Sequence, residues 1–100
     1  MANKSPVFNI DHSFRVPGLG LLVLPTAPGP GWLAPLALHT ALAVQLHRPG
    51  QPALVLPATV EELAHEPHPP TRALLLDADP GSLPAGAWLT LVEIATSELL

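Results

Sequence analysis

Cysteine is absent from this 100-residue chain, which excludes disulfides, thiolate metal sites and cysteine nucleophiles. Basic residues are nearly as scarce: Lys4, Arg15, Arg48 and Arg72 stand against eight acidic side chains, for a formal net charge of −4. Neutralisation of phosphates by basic side chains supplies most non-specific nucleic-acid affinity, so four scattered cations argue against strong independent binding to RNA or DNA. No Gly-x-x-x-x-Gly-Lys-Ser/Thr phosphate loop is present, which excludes nucleotide hydrolysis of that type, and Ser5, Ser13, Ser82 and Ser97 lie in no nucleophile motif. Only 12% of the residues are charged, about half the usual share. The surface must then present Ala, Leu, Pro and Thr, and self-association as a homodimer is expected.

What the chain has instead is aliphatic residues punctuated by proline and glycine. From Val16 to His47 there is no charged side chain, yet prolines 17, 25, 28, 30 and 35 and glycines 18, 20, 29 and 31 break any helix that could span a membrane. Soluble β structure without a membrane role is expected. The first six residues carry no apolar run of the kind a secretory signal needs, so a cytoplasmic location is expected. One domain over residues 7–95 follows from the length, between tails at 1–6 and 96–100.

Along the chain, Phe8, Ile10, Phe14 and Val16 share a strand face that ends at Pro17-Gly18, where proline and glycine suit the two corners of a type II turn. A second strand follows, and then the loop Pro25-Thr-Ala-Pro-Gly-Pro-Gly31, with Trp32-Leu33 a short strand or an anchor. Leu36–Leu46 alternates, with Leu36, Leu38, Leu42, Val44 and Leu46 on one side, and predicts a strand despite high helix propensity. Arg48-Pro-Gly-Gln51 turns the chain into a returning strand over 53–60. Thr59-Val-Glu-Glu62 also fits a capping box opening a one-turn helix. His65-Glu-Pro-His-Pro-Pro70 is expected to be a stiff loop outside any sheet, Thr71–Asp77 a strand, Asp79-Pro-Gly-Ser82 a turn, and 87–94 a last strand with Trp88, Thr90, Val92 and Ile94 on one face. About six short strands at close spacing predict an all-β fold, a small closed or nearly closed antiparallel barrel.

The order Phe8-Asn-Ile-Asp-His-Ser-Phe-Arg-Val-Pro-Gly-Leu-Gly-Leu-Leu-Val, Val60-Glu61, Ala73-Leu-Leu-Leu and Asp79-Pro-Gly-Ser-Leu-Pro-Ala-Gly-Ala-Trp-Leu resembles domain 2 of elongation factor Tu and related translational GTPases, over about Val7–Ile94. The resemblance implies a translation-factor β-barrel standing alone, without the GTPase domain. In that family the barrel holds the terminal adenosine of aminoacyl-tRNA between apolar side chains and a glutamate, which carries over to Val16, Gly18, Leu22, Glu61 and Leu75. Leu19 stands where the family has arginine, and Pro25 where it commonly has glycine. Val16, Leu22 and Leu75 equally suit core packing in any barrel.

Other residues invite chemistry and have plainer explanations. His65 and His68, with Glu61, Glu62 and Glu66, supply metal-type ligands, but Pro67 between the histidines opposes the helix that would bring them together, and an exposed acidic loop is expected, with a basic partner surface as its functional alternative. His12, on the apolar strand face, and His39 are expected to be hydrogen-bonded structural histidines. Trp32 and Trp88 are expected to be core plugs with one edge at solvent, and Asp77 and Asp79 turn or solvated carboxylates. The expected function is a non-enzymatic binding module, with no cofactor or metal, docking to a protein or ribonucleoprotein partner with at most a weak RNA contact. A homodimeric structural or assembly protein is the alternative.

Overall fold

In a computed structural model, residues 7–78, 80–81 and 83–95 are described, His65 by its backbone alone. Six strands, β1 (Val7–Val16), β2 (Gly20–Pro25), β3 (Ala41–His47), β4 (Leu54–His65), β5 (His68–Leu76) and β6 (Trp88–Ile94), close into an antiparallel barrel in the order β1-β2-β5-β4-β3-β6. No helix among the described residues is long and apolar enough to cross a membrane. The expected all-β barrel is the observed fold.

The turns do what their residues dictate. Leu19 N donates to Val16 O across Pro17-Gly18 at 3.0 Å, and Gly18 takes the φ of 80° that the second corner of a type II turn requires. Pro49-Gly50 repeats this geometry, with Gln51 N donating to Arg48 O at 3.1 Å. Alternation then fills the interior. Phe8, Val23, Val44, Leu46, Val60, Leu74, Leu76 and Leu89 are wholly buried, each such side chain contributing about 1.5–3 kcal/mol by leaving water.

Several elements differ from the sequence pattern. A bulge between Ile10 and His12 reverses the alternation of β1, since one extra residue exchanges its faces. Phe8 therefore points to the core, while Phe14 is 49% exposed and His12 lies outside with it. β3 begins at Ala41 and not near Leu36. The segment before it is a run of turns in which His39 has a φ of 70° and Thr40 bonds back to Ala37 O through both its amide and its hydroxyl, so Leu38 is exposed. Within the preceding loop, Trp32 and Leu33 are an anchor and not a strand: Leu33 is 2% exposed and the Trp32 ring lies 6.5 Å from Phe8.

β4 runs unbroken through Thr59–Glu62, so no capping-box helix forms there. Pro69 and Pro70 belong to β5 and not to a loop. Their missing N–H groups are tolerated because β2 pairs only with Leu74–Leu76 of that strand, leaving the earlier stretch an edge. In β6 the inward residue is Leu89. Trp88 is turned outward, half-buried, and stacks on His47 with ring centroids 4.9 Å apart, while His47 Nε2 and Thr90 Oγ1 are 3.0 Å apart. The expected Asp79–Ser82 turn involves Asp79 and Ser82, which lie outside the described residues, as do the tails at 1–6 and 96–100.

Candidate functional site

Outward-facing residues of four neighbouring strands form a row across the barrel wall. Phe14 on β1 pairs with Leu22 on β2, Leu22 with Leu75 on β5, and Leu75 with Thr59 on β4. The bulge in β1 makes the row possible, because without it Phe14 would join the core. Leu22 and Leu75 are half-buried. The His12 ring lies on Phe14 at 6.3 Å and within 4° of parallel, and Asp11 holds His12 Nδ1 at 2.8 Å. An exposed aromatic pair thus continues into an aliphatic strip.

The polar end of the row is Glu61, two residues from Thr59 on the same strand face. Thr59 Oγ1 donates to Glu61 Oε2 at 2.8 Å. His39 Nδ1 lies 3.2 Å from Oε1 and 3.3 Å from Oε2, and donates to the carboxylate when its proton is on that nitrogen. The imidazole side chain is 75% exposed and the carboxylate side chain 25%, so Glu61 is held from one side by the barrel and from the other by a surface ring.

The residues singled out by the family resemblance are distributed along this face. Leu22 and Leu75 are neighbours, and Glu61, opposite Ala73, sits diagonally beside Leu75. Val16 stands further along β1 and pairs with Gly20. Gly18 caps the β1–β2 turn, where it lines a shallow hollow with Val16, Asp77 and Ala78. Asp77 is four residues from Ala73, roughly 13 Å at a strand rise of about 3.3 Å per residue, so Gly18 and Glu61 occupy separate parts of the wall.

No family model, curated protein or solved structure matches this chain. The outer row has a chemistry of its own. It offers a flat ring pair, two leucines and one oriented carboxylate, a combination suited to holding a planar or apolar group with a hydrogen-bond donor. Among the described residues no group of three or more His, Cys, Asp or Glu side chains could hold a metal ion.

Four participants are not marked in the sequence pattern. His39 falls inside the alternating run, and nothing in a histidine announces a positive φ. Thr59 fits both the strand over 53–60 and a helix cap, and only on a strand is Thr-x-Glu a same-face pair. His12 and Phe14 fall on the inward face of an unbroken strand, because a bulge between Ile10 and His12 leaves no compositional mark.

Proposed function

We propose that the barrel is a non-enzymatic binding module of the translation-factor domain 2 type, acting in the cytoplasm and docking to a protein or ribonucleoprotein partner through the outer face from His12 and Phe14 to Glu61. The observation that carries this reading is the exposed His12–Phe14 stack running into Leu22 and Leu75. Exposed rings are expensive to leave in water and are the groups on which an unpaired base or a partner's aromatic side chain stacks. The scarcity of cations limits any RNA contact to such stacking and to Glu61, which suits the donor edge of a base or ribose.

A titration followed by methyl and aromatic NMR, using adenosine and a CCA-ended oligonucleotide, tests the RNA arm. Shifts at Phe14, Leu22 and Leu75 that persist as salt is raised are expected, and Phe14→Ala should abolish them. Shifts that vanish with salt would mean phosphate-driven binding and overturn the stacking assignment. Their absence would leave a protein partner for the same face.

A second reading, a homodimer, is favoured by Val55, Val92 and Ile94, which are exposed on strands flanking β3. Light scattering after size exclusion decides it: a strictly monomeric mass at high concentration removes it.

A further inference from the structure

The loop that follows β2 folds against the start of β5 and leaves a cleft of about 300 Å³ between them, walled by Pro25, Pro28, Pro30, Leu33 and Pro70, with Arg72 at its side. The walls are fixed by the backbone. Thr26 N donates to Asn9 O at 2.8 Å, Gly29 N to Thr26 O at 2.9 Å and Leu33 N to Pro30 O at 3.2 Å, while proline rings restrict what rotation remains. The cleft therefore exists before anything enters it, which lowers the ordering cost of binding.

Its chemistry is lopsided. Proline contributes no N–H, so four of the walls offer a ligand apolar rings and carbonyls but no donor. Arg72 offers the reverse: a guanidinium that stays protonated, whose Nη1 is wholly buried with no hydrogen-bond partner among the described residues. Glu62 stands opposite Arg72 in the β4–β5 ladder, yet its side chain is exposed and no bond joins the two. Unpartnered charged donors are rare in folded proteins; among the described residues Arg48 Nε is the other, and of the two only Arg72 lines this cleft.

We propose that this cleft binds a small monocarboxylate with an apolar body, the carboxylate on Arg72 and the body between the proline rings and Leu33. A carboxylate matches the guanidinium fork with two parallel hydrogen bonds. A phosphate would leave further oxygens facing carbonyls and apolar rings, and a cation would meet the fixed charge. The volume lies at the lower end of the range for small-molecule sites. This site faces away from the row ending at Glu61, and its occupancy is independent of any partner held there.

The test uses benzoate as probe, with benzamide and inorganic phosphate as controls, followed by calorimetry and by NMR of the Leu33 methyls and the Arg72 side chain. Benzoate is expected to shift both residues saturably, benzamide to bind at least ten-fold more weakly, and phosphate to leave Leu33 unmoved. Arg72→Gln should weaken benzoate at least ten-fold, and Glu62→Gln should leave it unchanged or tighten it. Equal binding of benzoate and benzamide, a comparison that needs no variant, would overturn the role of Arg72. Absence of shifts at Leu33 and Arg72 would overturn the site, whatever happens at Phe14, Leu22 and Leu75.

Discussion

Adjacent rungs of the β4–β5 ladder, Glu61 opposite Ala73 and Glu62 opposite Arg72, face opposite sides of the sheet and treat a charged side chain in opposite ways. On the outer rung, Glu61 is supplied from within the chain by Thr59 and His39. On the next rung, Arg72 buries Nη1 with no hydrogen-bond partner among the described residues. The first arrangement is complete as it stands, so its carboxylate is oriented before a partner arrives. The second is incomplete, and the missing group is an acceptor. The same strand pair thus shows a polar residue built into the fold beside one that the fold leaves open.

The largest expected effect comes from separating the strands that carry the outer row. A Cβ on Gly20, which has a φ of 139°, would collide with the carbonyl oxygen of Leu76. Gly20→Ala must push β2 from β5, and should cost more than about 3 kcal/mol in urea denaturation while breaking the Leu22–Leu75 contact. Gly18→Ala, where no atom lies within 4 Å, should cost only about 1–2 kcal/mol for its φ. Equal costs would show that β2 does not need its close approach to β5.

The comparison of the two rungs is sharpened by changes expected to have opposite signs. Arg72→Met keeps an apolar stem and removes the unmet donor, so the variant should be more stable by about 1–2 kcal/mol while losing benzoate binding. Thr59→Val removes a donor that is in use, and should cost about 0.5–1 kcal/mol, because Glu61 is exposed enough for water to replace part of the bond. Thermal and urea denaturation of both variants would measure the contrast, and a destabilised Arg72→Met would mean that its guanidinium is satisfied in solution. The smallest change is expected for His39→Gly. It relieves the φ of 70°, worth about 1–2 kcal/mol, but loses the surface contact with Glu61 and adds backbone freedom to the unfolded chain, which together cost about as much, so the midpoint should move little. A large loss would make His39 a structural support of Glu61 and not a surface partner.

The legible parts of the molecule are those in which a residue type permits one local answer. Pro17-Gly18 and Pro49-Gly50 specify their turns, and Leu42, Val44 and Leu46 specify the buried side of β3. The illegible parts are those in which one residue more or less reverses the outcome. The bulge in β1 turned Phe14 outward and created the exposed ring pair. The outward turn of Trp88, with Leu89 taking the core, is the same kind of one-residue choice. For the candidate site, Leu22, Leu75 and Glu61 could be named from the resemblance, whereas His12, Phe14, Thr59 and His39 joined them only through register and a left-handed backbone.

The amino-acid sequence by itself pointed to an all-β fold, because period-two alternation of aliphatic residues, cut by proline–glycine turns, favours short strands that bury one face. Its four Lys and Arg residues likewise bound how many phosphates the chain could neutralise. Only the tertiary structure decided which strand edges meet, and so which polar groups find partners. Thr59 and Glu61 are two residues apart and could be paired on paper, but His39 reaches Glu61 across 22 positions. Arg72 lines one cleft with Pro25, Pro30 and Leu33 because the loop after β2 folds back onto β5. Hydrogen bonds and burial depend on distances of a few ångströms between residues far apart in the chain, and alternation along one strand carries no record of them.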